Sequence, residues 1–167
     1  MAKILDGKSC AQKIKEELKR EVQSLHIQPG LAAIIVGNNT ASKIYVSRKI
    51  AACKEVGFHT ETIELPKGCT EETLSTAIEK CNRNPKIHGI LLQLPLPKQI
   101  SEQKMIGLID INKDVDGFHP IHRGQLVMGN QVFTPCTPQG ILRLLEHYGI
   151  DVAGKHVVIV GRGLTVG

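Results

Sequence analysis

The run LAAIIVG, residues 31–37, decides how this chain folds. Every residue from Leu31 to Val36 is apolar. A strand with one wet face alternates apolar and polar residues. An unbroken run marks a strand covered on both faces, which is the condition of a parallel sheet flanked by helices. The flanking sequence supplies those helices. Upstream, DGKSCAQKIKEELKREVQSL (6–25) repeats Ala11, Ile14, Leu18, Val22 and Leu25 at three and four residues, with charges between, and QPG (28–30) breaks the pattern. Downstream, NNTAS (38–42) offers capping residues, and the helix ASKIYVSRKIAACKEV (41–56) closes at Gly57.

The alternation continues outward. HTETIELP (59–66) reads as a strand and TEETLSTAIEKCN (70–82) as a helix with an acidic first turn. IHGILLQL (87–94) is a third buried strand, closed by PLP, and SEQKMIGLIDI (101–111) is a short helix. NKDVDGFHPIHRGQLVMGNQVF (112–133) reads as loops and short extended pieces. CTPQGILRLLEHYG (136–149) is a punctuated helix, with Thr137 as N-cap, Pro138 in the first turn and Gly149 past the end. HVVIVG (156–161) is a last strand. Strands alternating with helices predict an α/β fold with a mostly parallel sheet. The alternation stops after DVDGF, so the expected boundary separates an α/β domain at 1–120 from a second unit at 121–167.

The 167 residues suffice for one domain with a core and approach the size at which a second begins. Apolar content of 41% and charged content of 22% are ordinary globular values and argue against disorder. No apolar run reaches the roughly 20 residues of a membrane helix, and the N-terminus lacks a signal-peptide core, so a cytoplasmic protein is expected. Cys10, Cys53, Cys69, Cys81 and Cys136 are scattered without a CxxC pair and read as free thiols. The net charge of +5 suits a polyanionic ligand. Nucleic acid is not expected as a partner. With no Trp and only five Phe or Tyr, a base-stacking platform is poorly supplied.

Several residues carry possible chemistry. Tyr45 and Lys49 lie four apart on an expected helix and share a face, with Arg48 as a cationic neighbour. Such a pair also occurs as plain surface. Gln93 interrupts an apolar strand near its C-terminal end, where ligands bind in open α/β sheets. It either serves a ligand or bonds nearby backbone. Asp114 and Asp116 beside Gly117 suit a cation, the NH groups of a ligand, or a turn. His119 and His122 have a spacing seen in metal sites, but no third ligand is apparent, so no metal is expected. Gly161, Gly163 and Gly167 follow the last apolar run as a phosphate-binding turn would.

YVSRK, GILLQLPLP, KDVDGFHP, TPCTPQG and VVIVGRGLTVG occur in this order over the whole chain. Together they resemble the bifunctional methylenetetrahydrofolate dehydrogenase/methenyltetrahydrofolate cyclohydrolase family. The resemblance implies an N-terminal α/β folate-binding catalytic domain followed by the start of a Rossmann-type NADP-binding domain. It implies NADP as cofactor, a small-molecule folate as substrate, and a homodimer. Lys49 takes the place of the catalytic lysine and Tyr45 of its tyrosine. Gln93 takes that of the glutamine bonding the lysine, with Pro95 beside it in the substrate loop. Asp116 matches the pterin-holding aspartate, and Gly161, Arg162 and Gly163 match the phosphate loop. Gly163 stands where the family usually has Ser, which removes one hydroxyl donor to the cofactor phosphate. Members run well beyond 167 residues, so the resemblance also implies that the rest of an NADP domain and a final helix are missing. A cyclohydrolase alone, or a folate-binding module without turnover, stays open on the sequence.

Overall fold

The computed structural model describes residues 3–130, 132–161 and 163. Its centre is the run at 31–36. Strand β1 (Gly30–Val36) is buried along its whole length. It pairs in parallel with β2 (His59–Leu65) on one side and β3 (Gly89–Leu92) on the other, giving the order β2-β1-β3. The register sets Ile34 against Ile63 and against Leu92.

Successive side chains of β1 point to opposite faces, and each face has its own cover. Ala32, Ile34 and Val36 pack with Leu74, Ile78 and Cys81 of α3 (Glu71–Arg83) and with Met105 and Ile106 of α4 (Glu102–Ile106). Leu31, Ala33 and Ile35 pack with Val46, Ile50 and Cys53 of α2 (Thr40–Glu55). The result is a sheet with helices on both faces, an α/β fold as the apolar run requires. Helix α1 (Gly7–Ser24) lies against α2 and α6 (Cys136–His147). Tyr148 fastens α6 to the start of the chain: its hydroxyl accepts from the Asp6 N–H at 2.8 Å.

Three expectations are corrected. The stretch 112–133 is not all loop. It holds a short 3-10 turn (Ile111–Lys113) and an eight-residue helix, α5 (Pro120–Val127). His119 is its N-cap and Pro120 its first residue, a start that tolerates proline because that N–H has no helical partner. Thr137 does not cap α6; Pro135 occupies the N-cap, no side chain bonds there, and Thr137 lies inside the first turn. HVVIVG forms no strand among the described residues, and Val157, Val158, Ile159 and Val160 are 58–97% exposed. A strand exists only through its neighbours' hydrogen bonds, and no described segment runs beside this one.

Candidate active site

The three strands are parallel, so their C-terminal ends share one edge of the sheet, where the connecting loops gather. A cavity of about 530 Å³ opens there. Three separated segments build it: the first turns of α2, the end of β3 with its following loop, and the loop from Asp116 to the start of α6.

Helix α2 enters the site through a capped start. Asn39 Oδ1 accepts from the Ser42 N–H at 3.0 Å. Ser42 and Val46 are buried toward the sheet, which turns Tyr45 and Lys49 to the cavity wall one helical turn apart. Tyr45 is 64% exposed and Lys49 half-buried.

β3 delivers Gln93. Its backbone N–H extends the ladder by donating to Ile34 O at 2.9 Å, and its side chain then meets the cavity. Gln93 Nε2 donates to Leu94 O at 2.6 Å. Its Oε1 is buried with no partner among the described residues. An orphaned buried acceptor is costly, so this oxygen is suited to an N–H brought by a ligand or by Lys49. The chain then turns through a cis Leu94–Pro95 bond, and Pro95 forms the next piece of wall.

The third segment is pinned from within. Asp114 is 1% exposed, and one of its oxygens accepts the His119 N–H at 2.8 Å. This bond ties both ends of the DVDGFH loop together. Gly117 sits at φ +68°, and a Cβ there would lie 3.0 Å from Pro135 N and from Thr134 C. Both the backbone shape and the close approach demand glycine. The loop therefore lies flat against the segment that leads into α6, and Asp116, Phe118, Pro135, Cys136 and Thr137 together face the cavity.

Asp116 is the cavity's carboxylate. Burial pushes its carboxyl up, the Lys49 charge pulls it back, and the Asp114 charge adds to the rise. Cys136 Sγ lies 3.8 Å from Asp116 Oδ1 and 3.5 Å from Val115 O. Desolvation and then the Asp116 charge push the Cys136 thiol up, so it stays an uncharged weak donor.

Tyr45, Lys49, Gln93, Pro95 and Asp116, taken from the sequence separately, thus line one cavity. Asn39, Phe118, Cys136 and Thr137 line it too and were not singled out from the sequence; the stretches DGFHP and TPCTPQG were the available signal. Arg48 and the histidines stand outside its lining. His122 is buried, with its ring nitrogens 2.8 Å from Ile111 O and 3.2 Å from Gln125 Oε1, so both are taken up by protein groups. Gly161 and Gly163 do not line the cavity; Arg162 and Gly167 lie outside the described residues.

An amine, an uncommitted amide oxygen and a carboxylate around one apolar-walled space can move a proton and hold a polar heterocycle. Comparison with known proteins gives that chemistry a context. The family model described as tetrahydrofolate dehydrogenase/cyclohydrolase, catalytic domain, matches residues 5–116. The companion model for the NAD(P)-binding domain matches residues 135–167. The bifunctional protein FolD of Geotalea daltonii is 52% identical over 170 residues, covering 100% of this chain and 61% of that protein. The crystal structure of FolD from Campylobacter jejuni superposes with a TM-score of 0.95 at 44% identity, over 99% of this chain and 60% of that one. The FolD of Trypanosoma brucei, solved with NADP cofactor and an inhibitor, gives 0.94 at 35% identity, over 99% and 58%. The chain thus spans about 60% of the length of the relatives it matches.

Proposed function

The chain belongs to the tetrahydrofolate dehydrogenase/cyclohydrolase family, and we propose that its cavity is the folate site of a bifunctional one-carbon enzyme. The two reactions are oxidation of 5,10-methylenetetrahydrofolate to the methenyl cation with NADP, then hydrolysis of that cation to 10-formyltetrahydrofolate. The observation that carries this reading is the convergence of Tyr45, Lys49, Gln93, Pro95 and Asp116 on one cavity.

Asp116 accepts hydrogen bonds from the amino and ring N–H groups of the pterin. Tyr45 offers its ring to the aromatic part of the substrate and its hydroxyl to solvent-side polar groups. Lys49, as the neutral amine, accepts a proton from water while the water oxygen bonds to the cationic methenyl carbon. The bond from that carbon to N5 then breaks. N5 gains a proton, the new hydroxyl loses one, and the reaction as a whole releases one proton. Gln93 Oε1, without a partner among the described residues, is available to accept a hydrogen bond from Lys49 and so to orient it.

NADP, when bound, takes up the hydride that leaves the methylene carbon. Gly161 and Gly163, lacking side chains, would let a pyrophosphate approach their backbone. Arg162 would add a guanidinium to the phosphates. The NAD(P)-binding match over 135–167 favours this two-reaction reading over a cyclohydrolase alone or a module without turnover. We place the boundary between the two units near residue 120, and we further propose a cytoplasmic homodimer. Among the described residues no helix is long and apolar enough to cross a membrane.

The test is Lys49→Met. Loss of the methenyl absorbance, which follows cyclohydrolase turnover, should slow by about 10²-fold or more, the usual weight of a general base. Retention of most of the wild-type rate would remove Lys49 from the water-activating role.

A further inference from the structure

Asp116 stands in a turn, outside any helix or strand. Where its carboxyl points therefore depends on what fixes the residues just before it. Three residues upstream is Lys113, the last residue of the 3-10 turn. Its Nζ donates to three main-chain oxygens: Asn82 O at 2.6 Å, Asn84 O at 3.0 Å and Cys81 O at 3.1 Å. All three belong to the C-terminal end of α3 and its cap, Asn84.

The chemistry of that contact is well matched. The last carbonyls of a helix lack partners inside the helix and carry the negative end of its dipole. An ammonium brings a positive charge and three N–H donors. Among the described residues no carboxylate pairs with Lys113, so its charge is directed at the helix end. Asn82 reaches the same segment with its side chain. Its Nδ2 donates to Leu108 O at 2.8 Å, and its Oδ1 accepts from Asp110 N at 2.9 Å. The end of α3 thus holds the approach to the DVDGF loop by carbonyls and by an amide together.

The hold passes along the loop. Asp114 lies beside Ile90 in a parallel bridge, as a short continuation of the sheet past β3. Val115 fills the space left by Gly89, where a Cβ would come within 2.6 Å of Val115 Cγ1. Lys113 sets where this extended piece begins, and Asp116 follows it directly. Tyr45 and Lys49 stand on α2, which covers the opposite face of the sheet from α3. Lys113 therefore bears on the carboxylate wall of the cavity and not on the lysine wall.

We propose that Lys113 is a positioning residue for folate recognition: by clamping the DVDGF loop to the end of α3, it sets the Asp116 carboxylate at the depth the pterin N–H groups require. The proposal rests on the folate reading of the cavity. It implies a division of labour, because water activation at Lys49 does not run through α3. Loss of the clamp weakens substrate binding and leaves the chemical step in place.

The experiment measures KM and kcat of cyclohydrolase turnover on methenyltetrahydrofolate. Lys113→Met keeps the bulk of the stem and removes its donors. It should raise KM by about 5-fold, the weight of one hydrogen bond, with kcat unchanged within about 2-fold. Lys113→Gln, which keeps amide donors on a shorter stem, should raise KM less and serves if the methionine variant does not fold. Ile78→Val loosens α3 from the core without touching the clamp and should leave KM alone. In an Asp116→Ala background Lys113→Met should add nothing to KM, because the two act through one group. An unchanged KM in both Lys113 variants, an equal rise in Ile78→Val, or a full further rise on top of Asp116→Ala would overturn the positioning role while leaving the folate reading intact. Absence of turnover by folded wild type would overturn the folate reading, and the positioning role with it.

Discussion

Two apolar runs of similar composition meet opposite fates in this molecule. LAAIIV at 31–36 is buried throughout, between two strands and two layers of helix. VVIV at 157–160 stands 58–97% exposed, with no strand beside it among the described residues. Both have the side chains that strands prefer, and both end at a glycine. What separates them is company. Hydrogen-bonded neighbours on both sides and helices on both faces turn the first run into the centre of a domain. Strand propensity is therefore permission, and pairing within the chain decides whether it is used.

The largest test of that contrast is truncation inside each run. Ile34→Ala removes a fully buried side chain packed against α3 and should cost about 2–5 kcal/mol of stability in urea unfolding. A loss below about 1 kcal/mol would mean that the run is not the packed centre described here. The contrast also extends to chemistry, because the candidate catalytic side chains lie around the strand ends of the paired run. Asp116→Ala should weaken folate binding by about 10- to 100-fold in a titration, the weight of hydrogen bonds to a charged group. An unchanged affinity would take Asp116 out of the pterin role.

A smaller effect follows from the position of the Asp116 carboxyl. Burial raises it above the ordinary carboxylate range, so the folded protein binds a proton there more readily than the unfolded chain does. The sign is then fixed. The stability Asp116 contributes is greatest in acid and falls as pH rises from the ordinary carboxylate range through the raised folded value. Asp116→Asn should lack that fall, and the difference between wild type and variant across the acid range isolates it from other carboxylates. A difference that is flat with pH would contradict the direction given. The smallest effect belongs to the second run: Val158→Ala should change stability by no more than about 0.5 kcal/mol, as exposed sites do. A cost like that of Ile34→Ala would show that the run is packed after all.

The sequence made the sheet legible because its signals were redundant. The unbroken run at 31–36, the two-sided helices and the breakers around them all agree. The candidate site was legible because its residues fall in short, distinctive stretches such as QLPLP and DVDGF. Helix α5 was hidden by Gly124 at its centre and by a weak apolar period, although Pro120 at the start and Gly129 past the end were proper punctuation. The start of α6 misled because TPCTP offers two threonine–proline pairs, and the helix begins from the first rather than the second. The place of Cys136 beside Asp116 depends on how closely Gly117 lets two distant segments approach, which no local pattern encodes.

That approach also has a meaning in time. The cavity takes Lys49 from an early helix and its closing wall, Pro135–Thr137, from much later in the chain. A ribosome adding about 5–20 residues per second needs on the order of 10 s to travel from one to the other. During that interval the chain has its lysine but not the wall that closes the cavity, so the cavity is complete only after the segment that meets Gly117 has been made.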